Sequence, residues 1–452
     1  MGQMTSFAGL IGASQALAAQ SYALDVTGQN IDNADTPGYT RQRADMATVG
    51  PVAGVPTMYA TQRASTGVTV AGTSRIDDPV LDARVRTEHD RNSYAQTSSA
   101  QLSDVQTLFD EPTDNGLAEQ LNDMWNAWSA VANHPDDASA RSVVLQSAAT
   151  VATSLNTTSK ALSDLATSAT ATLDQTVVDI NTAAGSLATI NAAIAIANAT
   201  GTNTNSLADQ RDSLLLKLAD AAGTQATVQP DGSATVTLGG QTLVSGLTAS
   251  TVAVTASNTL TVNGAAAGTA GGTAQGLVDA LNTTLPAYAA KLDAVAAALS
   301  STVNAAHQAG YDLSGATGTP FFSGNTAATI AVAVTDPAKI AASGTPGGNF
   351  DGSTAKALAA FGSKTGGADD TYKSMVSTLA SDVQRASQTA AVQSAVVTNA
   401  DAQQQSVSGV SFDEETANML TYQRAYQASA RVLTTVDDML DTLINRTGRV
   451  GL

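Results

Sequence analysis

Cysteine is absent from all 452 positions, which excludes disulfides and every thiolate metal site. A chain without thiols suits a protein that crosses unfolded into an oxidising exterior. Aromatic residues are 4% of the chain and charged residues 13%, while Ala, Thr, Ser and Gly dominate, a composition suited to close helix packing. Cations are few as well: 21 Lys and Arg against 39 Asp and Glu give −18, which argues against nucleic acid as a partner. No unbroken apolar run approaches about 18 residues, so no membrane insertion is expected. No basic segment followed by an apolar stretch opens the chain, so export would proceed without a cleavable signal.

Signs of catalysis are also missing. The histidines are three in number, and no HExxH, GxSxG, P-loop or Rossmann pattern gathers them. His89 in TEHDR, His134 in NHPDD and His307 in VNAAHQAG are each expected to be solvated or to cap a helix. The acidic pairs Asp77 with Asp78, Asp136 with Asp137, and Asp437 with Asp438 read as helix-terminal charge and solvation, because adjacent carboxylates diverge. Trp125 and Trp128, three apart on a helix, read as core anchors. No catalytic residue, cofactor site or metal site is expected.

What the chain does have is a matched pair of ends. Met1 to Arg91 carries −2 and Ser411 to Leu452 carries −2, which leaves −14 for the stretch between. Near-neutral ends can pack against copies of themselves while an acidic middle keeps the particle soluble. Phe7, Leu10, Ser14, Leu17, Ser21, Leu24, Gly28 and Ile31 recur at alternating spacings of three and four. Met419, Tyr422, Tyr426, Ser429, Leu433, Val436, Leu440 and Leu443 repeat that spacing at the other end. A sustained repeat of this period predicts a helical seam, roughly 37 Å long on each side at about 1.5 Å per residue. Ser411 and Glu414 stand at capping-box spacing before the second helix, and Gly448 is placed to end it. One helix leads into the chain and the other leads out, so the pair is expected to run antiparallel.

The first helix runs into a stop. In NIDNADTPGYTRQ, Asn30 to Gln42, Pro37 disfavours helix at Thr36, and Gly38 supplies the positive φ of a type II turn. Beyond it, 77–222 reads as long helices and 223–272 as alternating β-type sequence, with a hairpin at Pro230–Asp231–Gly232 and another in TVAVTASNTLTVNG. Helix resumes at 274–310 and at 368–405. The predicted fold is mainly α with a nested β-rich insert. Its expected units are a terminal antiparallel coiled coil (1–60 with 406–452), a helical-bundle middle (61–222 with 273–405) and a small outer β domain (223–272).

The stretch Asn30 to Gln42, with Asn30, Asn33, Thr36, Pro37, Gly38 and Tyr39 at its turn, resembles the N-terminal signature of bacterial flagellar rod, hook and hook-associated proteins. ETANMLTYQRAYQASARVL, Glu415 to Leu433, resembles the matching C-terminal signature. WNAWSAVANHPDDASAR at Trp125 to Arg141, NSLADQRD at Asn205 to Asp212, and Val303-Asn304 with His307, Gly310 and Phe321-Phe322 are similar to the hook-associated members at the hook-filament junction. The β insert is smaller than the outer domain of many such members. The resemblance implies a structural adaptor without enzymatic activity, exported by the flagellar type III apparatus to the extracellular flagellum and added as a ring at the hook tip. The terminal seam residues would line the channel. Its partners would be copies of itself, the hook protein, a second junction protein, and an export chaperone at the C-terminal helix. Another axial protein, or a secreted enzyme carried on axial export termini, are the alternatives.

Overall fold

The computed structural model describes residues 6–49, 67–109, 111, 113, 116–347 and 350–442. The chain opens with helix α1 (Ser6–Asp32), followed by the antiparallel ribbon β1 (Gln42–Thr48) and β2 (Val68–Arg75). Helices α2 (Pro79–Thr107), α3 (Leu117–Asn133), α4 (Ala138–Thr200) and α5 (Asn205–Ala222) come next. Then come strands β3 (Gln225–Val228), β4 (Ala234–Leu238), β5 (Gln241–Ser245), β6 (Thr248–Ala249), β7 (Val252–Val254), β8 (Leu260–Val262) and β9 (Ala265–Ala266). Helices α6 (Gly272–Asp279), α7 (Leu285–Ala309), α8 (Ser353–Ala359), α9 (Ala368–Ser408) and α10 (Phe412–Asp441) complete the path. The protein is therefore mainly helical with small sheets.

Helix α4 is the spine. Its 63 residues span about 95 Å. No proline interrupts it, Asp137 caps its start by accepting from the Ser139 amide, and Gly201 ends it in the left-handed region. Val144, Ala148, Val151, Leu155, Leu162, Leu173, Ile180, Leu187 and Ile194 keep helical spacing and are buried in the core. The helix is long and apolar enough, on average, to cross a membrane, a property that counting unbroken apolar runs does not register. Here its apolar stripe packs on α3, α5, α6 and α7.

The insert sits on α4 through asparagine side chains. β3 to β6 form one antiparallel sheet in chain order, and β7 to β9 a second. Ala234, Val236 and Leu238 alternate inward along β4. Asn191, fully buried on α4, donates to the carbonyls of Ala234 and Gly246 at 2.9 Å and accepts from the Ala234 amide at 2.9 Å. Asn181 pairs in the same way with both backbone groups of Val252. These amides serve as strand partners for backbone that no strand pairs.

Two histidines depart from the sequence expectation. His307 is fully buried rather than solvated, with Nδ1 2.6 Å from the Thr319 carbonyl and Nε2 2.9 Å from the Ala341 amide. Burial lowers its pKa, and those partners specify the neutral ring with its proton on Nδ1. It meets Trp128 and Phe321 edge-on, and Phe321 in turn meets Phe322, so three of the scarce aromatics share one cluster with it. His89 bridges two carboxylates on separate helices, since helix packing brings Asp220 and Asp401 to it. His134 caps the end of α3. Trp125 and Trp128 are core residues, and Trp125 Nε1 donates to Asp369 at 2.7 Å.

Candidate assembly site at the joined termini

After α1 the chain reverses over Thr36 to Tyr39. Pro37 and Gly38 occupy the central positions, Gly38 has φ +80°, and the Tyr39 amide donates to the Thr36 carbonyl at 3.1 Å. That is the type II turn. Asn33 steadies its entry by donating to the Gln29 carbonyl at 2.9 Å and accepting from Thr36 Oγ1 at 3.3 Å.

The reversal returns the chain onto Asn30, which is buried. Asn30 Nδ2 donates to the Gln42 carbonyl at 2.8 Å and to Glu415 Oε2 at 3.1 Å. Its Oδ1 accepts from Tyr39 Oη at 2.8 Å and from the Gln42 amide at 3.0 Å. Every hydrogen-bonding position of the amide is thereby used. Burial, then the charges of Asp209 and Glu415, push the Tyr39 hydroxyl up to about 12, so it remains a donor at neutral pH.

Arg41 closes the arrangement from the other side. Its Nε and Nη2 lie 2.8 and 2.7 Å from Glu415 Oε1, and its Nη1 lies 2.7 Å from Glu414 Oε2. Glu415 is the buried residue of α10 among those described, so its charge is matched by a guanidinium and an amide. Ser411 caps α10 by accepting from the Glu414 amide. The Glu414 carboxylate, free of the reciprocal half of a capping box, is used by Arg41. The Arg41 amide donates to the Ser408 carbonyl at the end of α9. One arginine thus joins α1's turn, the ribbon, α9 and α10.

The helices pair in opposite directions, because Gly9 lies against Val436 while Asn30 meets Glu415. On α10, Met419, Tyr422, Leu433, Val436 and Leu440 are half-buried and Tyr426 is exposed. On α1, Leu10, Leu17, Leu24 and Ile31 are half-buried. The most buried positions there are Ala13, Ala19, Ala23, Val26, Thr27 and Asn30, a face rotated by about one residue from the leucine column. Alanines let α1 approach its neighbours closely, and α1 packs on the ribbon as well as on α10. Leu443 and Gly448 lie outside the described residues, as does the side chain of Phe7.

The sequence pattern carries no sign of the ribbon or its anchors. Arg75 of β2 reaches Asp209 at 2.9 Å and Asp212 at 2.7 Å on α5, and Asn205 donates to Gln42 Oε1 and the Thr73 carbonyl. The DQRD stretch therefore tethers the terminal helices to the helical body. Clefts of about 730 and 940 Å³ flank the 36–39 turn along this joint.

This geometry is matched by sequence likeness over the whole chain. Flagellar hook-associated protein 1 of Bacillus subtilis is 30% identical, with 99% of this chain and 100% of that protein aligned. The chain belongs to the flagellar hook-associated protein 1 family. The Escherichia coli member is 26% identical over 96% of this chain and 98% of its own. Residues 102–322 match the flagellar hook-associated protein FlgK helical domain. Residues 12–40 match the flagella basal body rod protein model, and 393–446 the flagellar basal body rod FlgEFG protein C-terminal model. The flagellar hook junction protein FlgK from Burkholderia pseudomallei shares the fold at TM-score 0.64 and 18% identity, covering 72% of this chain and 100% of that one. The rod-type matches fall on the two segments that the Asn30–Arg41–Glu415 cluster joins.

Proposed function

We propose that this chain is a structural subunit of the junction between flagellar hook and filament, and that it assembles through its joined terminal helices. The observation that carries this reading is a helix only half satisfied. With α1 in place, α10 still exposes Leu420, Tyr426, Val432 and Met439, each more than two-fifths open to solvent. Apolar surface of this kind is removed from water when copies pack side by side. Terminal helices of neighbouring copies then form an inner tube, the α2 to α9 body forms the wall, and the β insert points outward. The hook protein lies below the ring and a second junction protein above it. Before assembly, the subunit is exported to the flagellum with a chaperone covering the C-terminal helix.

The test uses a strain lacking the gene, complemented by variants and viewed by electron microscopy. Val432→Asp strikes a position exposed in the single chain, whereas Leu433→Asp strikes the half-buried side against α1. Both are expected to yield secreted subunit and hooks bearing no filament. Normal filaments on cells carrying Val432→Asp would refute assembly through this face.

A further inference from the structure

We propose that His89 is a proton-operated pin that fastens the end of α9, and with it the terminal helices, to the helical body. Its Nδ1 lies 3.1 Å from Asp220 Oδ1 on α5, and its Nε2 lies 3.1 Å from Asp401 Oδ1 on α9. A neutral imidazole has one N–H and would turn a lone pair toward one of these carboxylates. Imidazolium donates to both, so the arrangement across α2, α5 and α9 is complete only when the ring is charged.

The surroundings reinforce this state. Asp220 is held in place by Ser93 Oγ at 3.0 Å. On α2 itself, Glu88 is engaged by Arg91 and Gln393, and Asp90 accepts from the Gly272 amide of α6 at 2.6 Å. Asp220 of α5 and Asp401 of α9 are thus the carboxylates aimed at the ring. The bond to Asp220 is the largest influence, raising the His89 pKa above its ordinary 6.5 against partial burial, with Asp401 adding to the rise.

Position gives the pin its consequence. Asp401 lies about two turns before Ser408, whose carbonyl holds Arg41 and so the terminal latch. The neighbouring ties are Gln404 to Asp82 at 2.6 Å and Arg84 to Gln403 at 3.0 Å, neither of which contains an imidazole. His89 has a folded pKa above its unfolded one, so its contribution is complete below pH 6.5 and is lost as pH rises through the folded value. The joint is stiff in mild acid and looser in alkali.

Ring-labelled histidine NMR on the full chain tests this, because only three histidines contribute signals. Hydrogen exchange over 397–408 at pH 5.5 and 8.5, corrected for intrinsic rates, reads the joint. The expected result is His89 titrating above 6.5 and protection falling with rising pH, by the factor that the measured rise in pKa sets. His89→Gln should abolish that fall. Titration at or below 6.5, or equal falls in native and variant chains, overturns the proposal. If His89→Gln does not fold, Asp401→Asn replaces it, and the native titration decides by itself.

Discussion

Replacing Arg41 by methionine leaves the Glu415 carboxylate, with a side chain 3% exposed, facing only the amide of Asn30. Methionine keeps much of the arginine stem's apolar volume, so the change isolates the charge. Removing one partner of a buried ion pair costs about 3–5 kcal/mol. The Glu414 arm adds little, because that carboxylate is 63% exposed and its contact is screened. The loss should be local, since the side-chain cluster joins α1, the segment entering β1, and α10, and touches no residue of the α4 core. Amide exchange in 28–48 and 408–420 should therefore accelerate by at least roughly a hundredfold, while the α4 core keeps its protection. Glu415→Gln removes the stranded charge, so in the Arg41→Met background it should recover part of the protection. A double-mutant cycle should give coupling of about 2–3 kcal/mol. If Arg41→Met accelerates exchange less than about fivefold, or the two changes add within about 0.5 kcal/mol, the latch does not hold the termini together.

Other outcomes follow from the same contacts. Asn191→Leu strands the buried amide and carbonyl of Ala234, while the exposed Gly246 carbonyl can turn to water, and should cost roughly 2–4 kcal/mol in urea unfolding; a change below about 1 kcal/mol would show that the amide is not what seats the insert. His307 has a folded pKa below its unfolded 6.5, so the unfolded chain binds more protons as pH falls, and stability should decline from pH 6.5 toward the folded value. Melting curves between pH 5.5 and 6.5 check this, and the slope should be smaller in His307→Gln. The opposite sign of His89 confines its effect to higher pH, so the two histidines are separable by window.

Legibility along the chain followed how local the determining interaction was. The type II turn at Pro37–Gly38, the hairpin at Pro230–Asp231–Gly232 and the cap at Ser411 could be read from a few adjacent residues, and each lies where those residues put it. On α10 the periodic positions Met419, Tyr422, Leu433, Val436 and Leu440 are half-buried, whereas Tyr426 is exposed. On α1 the period was legible but the buried face was not. Leucine outweighs alanine in any reading by hydrophobicity, whereas close approach of α10 and the ribbon selects alanine. The ribbon itself had no strong alternation in QRADMAT to announce it.

The sequence by itself determined the long helices, the small strands among them and the kinship of both ends, because caps, turns and periodicity act over a few residues. Only the tertiary structure decided that Asn30, Arg41 and Glu415 meet, that Asp209 and Asp212 receive Arg75, and that His89 lies between two carboxylates. Those pairings span from more than one hundred to nearly four hundred positions. Such distances leave no periodic trace, and the geometry of packed helices alone selects which charges come within reach.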